Sequence, residues 1–137
     1  MLDQDENWML QALHVAREAE KLGEVPVGAV IIDADGKILA ATSNRTIKNN
    51  DPTAHAEILA LRTAAIRTGN YRLTGTTMYT TIEPCAMCAG ALVNARVARV
   101  AHVSVCAAVT GARIHASVHW ARDDARVDAS TRAAGLV

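Results

Sequence analysis

Two short segments that lie far apart in the sequence constrain the fold of this chain more than any other feature. The first is His55-Ala56-Glu57 and the second is Pro84-Cys85-Ala86-Met87-Cys88. Histidine and cysteine are good zinc ligands, and a Cys-x-x-Cys spacing lets one helix turn present both sulfur atoms. If His55, Cys85 and Cys88 hold one zinc ion, the fold must bring the two segments together. Three protein ligands would leave the fourth tetrahedral position open for water, as in catalytic rather than structural zinc sites.

Glu57 lies two residues beyond His55 and does not need to bind the metal. From the first turn of a helix, its carboxylate can reach a water molecule on the metal and then a ring nitrogen of a substrate base. Zinc lowers the pKa of bound water from about 15.7 to about 7, so Glu57 can accept its proton and pass protons to the ring and to departing ammonia. The combination of H-x-E with P-C-x-x-C is the signature of zinc-dependent nucleobase deaminases. It predicts hydrolytic deamination with one zinc ion per chain.

Two other interpretations of the cysteines stay open. Zinc could clip two helices together, with Cys106 or a histidine as the fourth ligand and Glu57 as a capping charge. The Cys-x-x-Cys pair could also be a redox motif, although such motifs need no upstream H-x-E. By itself, Cys106 is typical of a small buried hydrophobic residue. The histidines outside the pattern, including His102, are interpreted as surface residues or as residues satisfied by their neighbours.

Length and composition describe an ordinary domain. The 137 residues predict one domain over 1–137, and the balance of 14 basic and 14 acidic residues favours a soluble globular protein. Neither a signal peptide nor a membrane-spanning run is seen, so we expect a cytoplasmic protein without a membrane partner.

Between Glu83 and Asp123 there is no acidic residue, but four arginines occur: Arg96, Arg99, Arg113 and Arg122. On one shared face they would attract phosphate; otherwise they are separate solvated side chains.

Hydrophobic periodicity and turn residues predict helices that alternate with strands. The predicted helices cover about 4–22, 54–67 and 85–94, and the predicted strands cover 25–32, 37–41, 76–81 and 97–105. Asp51-Pro52-Thr53 is expected to cap the second helix, and Pro84 to take the first position of the third. This alternation predicts an α/β fold with a largely buried sheet between helices. From Ala112 no period is sustained, and we expect partly helical structure there.

Several longer segments resemble bacterial tRNA adenosine deaminases. The similarity covers roughly residues 6 to 100 and is carried by Glu24-Val25-Pro26-Val27-Gly28-Ala29-Val30, Asn44-Arg45, Asp51-Pro52-Thr53-Ala54-His55-Ala56-Glu57-Ile58, Asn70-Tyr71-Arg72-Leu73 and Glu83-Pro84-Cys85-Ala86-Met87-Cys88-Ala89-Gly90-Ala91. The resemblance implies a three-layer cytidine deaminase-like α/β fold, with a mixed central β-sheet flanked by helices. It also implies a zinc-dependent homodimer that converts the wobble adenosine of a tRNA anticodon stem-loop to inosine.

The same resemblance assigns the contacts with the substrate. Asn44 would contact the target nucleoside, and Val27 would form part of the pocket wall. The backbone around Ala56 and Pro84 would contact the base.

The chain departs from this family after its last predicted strand. Residues 103–108 lack the aspartate that the family carries there, and the segment from about Ala112 matches poorly and ends near the expected start of a final amphipathic helix. We therefore expect a divergent or shortened C-terminal segment. Zinc and a glutamate alone do not choose between adenine, cytosine and guanine. The alternatives are a free nucleobase or nucleoside deaminase acting on guanine or cytosine, and a zinc-stabilised binding subunit without activity.

Overall fold

The computed structural model describes residues 4–103 and the backbone of 117–119. The helices in this part are α1 (Gln4–Lys21), α2 (Ala56–Thr68) and α3 (Ala86–Asn94). The strands are β1 (Gly28–Ile32), β2 (Ile38–Ser43), β3 (Thr77–Thr80), β4 (Arg99–His102) and β5 (Ser117–His119). All predicted helices and the strands predicted before Ala112 are confirmed, with small shifts at their ends. None of the described helices is long and apolar enough to cross a membrane.

β5 lies in the segment after Ala112, which was predicted to be partly helical and for which no strand was predicted. Antiparallel pairing with β4 forms the strand, and it sets Ser117 opposite Ala101 and His119 opposite Arg99. Such a short strand cannot show the alternation by which a strand is recognised in a sequence. Cys106, Arg113, Arg122 and the rest of the C-terminal segment lie outside the described residues.

The described strands form one mixed sheet in the order β2-β1-β3-β4-β5. β1 is antiparallel to both β2 and β3. β3 and β4 run parallel, with Thr80 opposite His102 at their carboxyl ends. Every residue of β1 is buried, as expected for a central strand that is covered on both faces.

Helices cover the two faces of the sheet and make a three-layer structure. On one face, Met9 and Ala12 of α1 pack in a cluster with Val30, Tyr79 and Ala101. On the other face, a larger cluster joins α2 and α3 to the sheet through residues that include Ala60, Leu61, Leu92, Ile31, Met78 and Val100. Successive strand residues point to opposite faces, which explains why Met78 and Tyr79 belong to different clusters. The predicted three-layer α/β fold class is confirmed.

Candidate metal centre

The two predicted ligand segments form the starts of two helices. His55 is the N-cap residue of α2 and Cys85 is the N-cap residue of α3, and both have extended backbone conformations. Neither side chain caps its helix through a hydrogen bond within the described structure. Both are therefore available for another partner. Cys88 follows in the first turn of α3.

The helix starts differ slightly from their prediction. Asp51 does not cap α2; its carboxylate accepts hydrogen bonds from the backbone and hydroxyl groups of Thr53 and so closes a local turn. Pro84 precedes the N-cap residue of α3 rather than taking the first helical position. In both helices, a predicted metal ligand is the N-cap residue.

The ligand atoms of His55, Cys85 and Cys88 converge. The Nδ1 atom of His55 lies 3.6 Å from Sγ of Cys85 and 3.5 Å from Sγ of Cys88, and all three ligand atoms lie within 4.8 Å of one another. A tetrahedral zinc ion with Zn–S of about 2.3 Å and Zn–N of about 2.0–2.1 Å requires an N···S separation of about 3.6 Å. One imidazole nitrogen has a single lone pair and can accept from only one thiol. Two sulfur atoms at this distance from it fit one shared cation better than two hydrogen bonds.

Burial acts against free thiolates at this site. Cys88 is completely buried while Cys85 is exposed. Burial, with the nearby Glu57 carboxylate as the next cause, raises the pKa of the Cys88 thiol above its ordinary value. The free N–H groups of a helix N-terminus favour a thiolate, but burial at Cys88 opposes one and raises the thiol pKa. A divalent cation supplies the positive charge that a deprotonated cysteine needs here. The donor set thus fits zinc.

Glu57 stands beside the cluster but is not one of its members. Its side chain is 2% exposed, and this burial raises the pKa of its carboxyl group above the ordinary value. Hydrogen bonding from its own backbone N–H and the neighbouring His55, Cys88 and Thr80 act in the opposite direction. The position agrees with the prediction of a carboxylate that lies near the metal without binding it.

Comparison of the sequence with known proteins also supports a zinc site in this chain. Residues 2–104 match the family described as the cytidine and deoxycytidylate deaminase zinc-binding region. The chain belongs to this family. Over 95 residues it is 52% identical to the tRNA-specific adenosine deaminase of Haemophilus influenzae, and the match covers 69% of this chain and 55% of that protein. The chain therefore spans little more than half of that relative's length.

Two solved structures of this deaminase fold extend the comparison. A structure from studies of A-to-I editing by tRNA:A34 deaminases at the wobble position of transfer RNA matches with a TM-score of 0.70 and 44% identity, over 72% of this chain and 71% of that one. Guanine deaminase from Bacillus subtilis matches with a TM-score of 0.72 and 38% identity, over 80% of this chain and 70% of that one. The predicted membership of the cytidine deaminase-like zinc-binding family is confirmed.

The residues predicted to contact the substrate lie at the same end of the strands as the predicted metal ligands. Asn44 is buried, and its side-chain Oδ1 accepts a hydrogen bond from the backbone N–H of Ala56 at 3.0 Å. The backbone N–H of Asn44 donates to the carbonyl of Val27 at 3.1 Å, which links these two residues directly. The carbonyl of Ala56 accepts from the hydroxyl of Thr42 at 2.7 Å, so both backbone polar groups of Ala56 have partners within the chain. Pro84 is buried beside Cys85.

Glu24 and Thr80 are buried polar residues whose roles the sequence patterns did not predict. Glu24 is 5% exposed, and its carboxylate accepts hydrogen bonds from the backbone N–H groups of Ile47 and Lys48 at 3.3 and 2.7 Å. It therefore anchors the loop that connects Asn44 to His55. Glu24 begins one of the segments that resemble bacterial tRNA adenosine deaminases, and this resemblance was the signal that could have pointed to it. Thr80, the second residue, is fully buried and its hydroxyl lies 3.5 Å from Oε1 of Glu57.

Of the four arginines that could share a phosphate-attracting face or stand as separate solvated side chains, Arg96 and Arg99 lie within the described structure. Arg99 donates hydrogen bonds to both carboxylate oxygens of Asp5 and lies 5.9 Å from the ring centre of Tyr79. Because Arg99 is engaged in this ion pair, its charge is largely balanced within the fold. Arg96 has a positive φ of 61°. Because its side chain is exposed, Arg96 is the arginine of this set, among those that the structure describes, that is available to an anionic partner.

Proposed function

We propose that this chain catalyses the zinc-dependent hydrolytic deamination of adenosine to inosine at the wobble position of a tRNA anticodon. The observation that carries the proposal is the convergence of His55 Nδ1 with the sulfur atoms of Cys85 and Cys88, with the buried Glu57 carboxylate beside them. The adenosine and tRNA specificity is supported by the 52% identity to the tRNA-specific adenosine deaminase of Haemophilus influenzae.

We infer that His55, Cys85 and Cys88 hold the zinc ion as its protein ligands. When bound, zinc would lower the pKa of a water molecule and thereby supply the nucleophile for attack on the adenine carbon that bears the amino group. Water is added, ammonia leaves and inosine remains. The protein's own side chains must then remove and deliver the protons.

Glu57 is the residue that we infer to move these protons. Its carboxylate accepts a proton from the attacking water, donates one to the adjacent ring nitrogen of adenine and later assists the departing amino group. Burial raises the pKa of this carboxyl group, and a carboxylate with a raised pKa is a stronger base than an exposed glutamate. An intact, buried Glu57 is hard to reconcile with the alternative of a zinc-stabilised binding subunit.

Asn44 is the residue that we infer to orient the nucleoside. Because its Oδ1 is engaged by the N–H of Ala56, its side-chain NH₂ group is left to donate to an acceptor atom of the substrate. Val27 and Pro84 would form apolar walls of the pocket, since both are buried next to residues of the site. A direct contact of the Ala56 backbone with the base stays a prediction.

A deaminase that acts on free guanine is the second candidate function. The similarity to guanine deaminase from Bacillus subtilis, with a TM-score of 0.72 against 0.70 for the tRNA:A34 deaminase structure, makes the backbone equally compatible with both substrates. The higher sequence identity, 44% against 38%, favours the tRNA substrate. A tRNA substrate also implies a cytoplasmic location, which stays a prediction.

We also propose that the chain forms a homodimer through the outer face of α3. This helix contains no charged residue, and Met87 and Val93 on its exposed side are 37% and 40% exposed. Ile82, which precedes the helix, is 41% exposed. Exposed apolar side chains on and before a helix without charged residues are the feature on which we base this interface. Light scattering should show a dimer at micromolar concentration and a monomer after Val93→Lys; a strictly monomeric parent protein would contradict the proposal.

The substrate is tested by measuring ammonia release from two sets of compounds. One set contains the free bases and nucleosides of adenine, guanine and cytosine, and the other presents adenosine at the wobble position of an anticodon stem-loop. We expect turnover of the stem-loop and a steep fall of its kcat/KM with rising salt, because phosphate contacts release counterions. Salt-independent turnover of free guanine, with none of the stem-loop, would establish the second candidate instead.

A further inference from the structure

Two buried polar residues, Thr80 and His102, lie side by side in the sheet near Glu57. Thr80 ends β3 and His102 ends β4, and these parallel strands pair them directly. Thr80 is 0% exposed and His102 is 7% exposed. Met78 and Val100, two residues earlier in each strand, belong to the cluster under α2 and α3. Since side chains alternate along a strand, Thr80 and His102 face the same layer, which is the layer that contains Glu57.

Each of these residues has an unused hydrogen-bonding group that the other could satisfy. The hydroxyl of Thr80 lies 3.5 Å from Oε1 of Glu57, where it can act as a donor, and its oxygen lone pairs are still available. The Nδ1 atom of His102 is buried and has no hydrogen-bond partner within the described part of the chain. Buried polar atoms are usually paired. Thr80 is paired with His102 in the sheet, and its hydroxyl oxygen could accept a hydrogen bond from Nδ1–H of His102.

We propose that His102 and Thr80 are positioning residues that form a hydrogen-bonded chain to Glu57. In this chain, Nδ1–H of His102 donates to Oγ1 of Thr80, and the hydroxyl of Thr80 donates to Oε1 of Glu57. The inference rests on the proposed role of Glu57 in proton transfer. Because Oε1 is held, the carboxylate cannot rotate freely, and Oε2 is directed at the reacting water and base. The 3.5 Å separation is long for a hydroxyl donor, as catalytic hydrogen bonds often are before substrate is bound.

The kinetic test uses variants that change the hydroxyl without changing the shape of the site. Thr80→Val removes the donor but keeps the volume, Thr80→Ser keeps the donor, and Thr77→Val makes the same change on the opposite face of β3. With the anticodon stem-loop as substrate, Thr80→Val should lower kcat by about tenfold, since one hydrogen bond is lost in the transition state, and leave KM within about twofold. Thr80→Ser should recover most of the loss, and Thr77→Val should behave as the parent. A Thr80→Val kcat within twofold of the parent, or no recovery by Thr80→Ser, would overturn the inference.

A second pair of variants tests the far end of the chain. Asn places its NH₂ group where Nδ1 of histidine lies, whereas Leu provides no polar group. We expect His102→Asn to retain most of the parent kcat and His102→Leu to lose several-fold. In the Thr80→Val background, His102→Leu should cause no further loss, because the link to Glu57 is already broken. Independent, multiplicative losses would show that His102 does not act through Thr80.

Imidazole ¹⁵N spectroscopy of the zinc-loaded protein without substrate gives a readout that does not depend on activity. It should show a protonated, hydrogen-bonded Nδ1 in His102, and Thr80→Val should abolish that hydrogen bond. An unprotonated Nδ1 would overturn the inference even if the parent enzyme is active. A protonated Nδ1 that responds to Thr80→Val, in a protein that deaminates none of the substrates, would support the chain and refute the proposed function of Glu57.

Discussion

The side-chain oxygen of Asn44 accepts a hydrogen bond from the backbone N–H of Ala56 at 3.0 Å. This contact joins the residue that follows β2 to the first turn of α2, and it satisfies one of the free N–H groups at the helix N-terminus. Asn44 therefore has a structural role through its oxygen and, in our proposal, a substrate-binding role through its NH₂ group.

Substitutions at Asn44 separate the two roles. Asn44→Asp keeps the oxygen that accepts from the N–H of Ala56, so this hydrogen bond should be retained. It lacks the NH₂ donor, and kcat/KM should fall by about tenfold or more. Asn44→Ala loses both functions and should also destabilise the protein by about 1–3 kcal/mol, because the N–H of Ala56 becomes unpaired. An Asn44→Asp variant with parental kcat/KM would exclude the substrate role.

Zinc content tests the ligand set. The parent protein should contain about one zinc ion per chain, and Cys85→Ala or Cys88→Ala should lose most of it, since two protein ligands hold a tetrahedral site poorly. Cys106→Ala is the matched control and should retain zinc. Elemental analysis measures all four proteins. Full occupancy in Cys88→Ala, or loss of zinc in Cys106→Ala, would require a different ligand set and would favour a structural site.

The sequence was most informative where neighbours along the chain act together. His55 and Glu57 belong to one short motif and Cys85 and Cys88 to another, and each motif lies at the start of a helix. Local spacing predicts which residues of each motif act together, whereas the fold brings the two motifs to one site. Hydrophobic periodicity was sufficient for the helices and the longer strands. Asp51 was expected to cap α2, but His55 occupies the cap position because the chain makes a separate turn before it.

Residues whose role depends on distant partners could not be predicted in this way. The partners of Glu24 are backbone groups of Ile47 and Lys48, and Thr80 comes within 3.5 Å of Glu57 only in the folded chain. A buried glutamate or threonine has no local pattern that distinguishes it from an exposed one. β5 was missed for a related reason, because its pairing with β4 rather than its own composition makes it a strand.

The contact of α1 with β1 leads to a stability prediction. A Cβ atom at Gly28 would lie 2.0 Å from the carbonyl oxygen of Ala12 and 2.8 Å from the backbone nitrogen of Ala16. Helix backbone cannot move away as a flexible side chain could. Gly28→Ala should therefore lower the free energy of unfolding by about 3 kcal/mol or more, at the upper end of overpacking effects.

A matched glycine is available as a control for this substitution. A Cβ atom at Gly90 of α3 would meet no atom within 4 Å. Gly90→Ala should therefore stabilise the monomer by about 0.5–1 kcal/mol, because alanine is the better helix former. Denaturant unfolding of both variants measures the difference. Equal effects of the two substitutions would show that α1 does not pack as closely on β1 as described.

The ion pair between Asp5 and Arg99 predicts a pH dependence of stability. The hydrogen bonds from Arg99 are the largest cause that lowers the pKa of the Asp5 carboxyl group, and the hydroxyl of Tyr79 also donates to it at 2.7 Å. A carboxyl pKa that is lower in the folded state stabilises the fold above the unfolded pKa of about 3.9, and this contribution is lost as the pH falls through the folded value.

Asp5→Asn removes this titration while keeping a similar shape. Between pH 7 and the unfolded pKa, the parent should be more stable than Asp5→Asn by about 1 kcal/mol or less, since the pair is partly exposed to solvent. The difference should shrink below about pH 4. Denaturant midpoints measured at each pH test this. A stability difference that stays constant down to pH 2 would mean that the ion pair does not titrate as described.

The measurement that tests the central claim most directly is made on one sample of the Glu57→Gln variant. Zinc content, melting temperature and ammonia release from the anticodon stem-loop are determined together with those of the parent. Because Glu57 is not a ligand but moves protons, the variant should keep about one zinc ion per chain and its fold, and lose activity by about ten-thousandfold or more. If zinc only clips the two helices together, the substitution should change stability by at most about 1 kcal/mol and leave any activity intact. Deamination within about tenfold of the parent rate would contradict the mechanism, because a general acid–base group contributes far more than that.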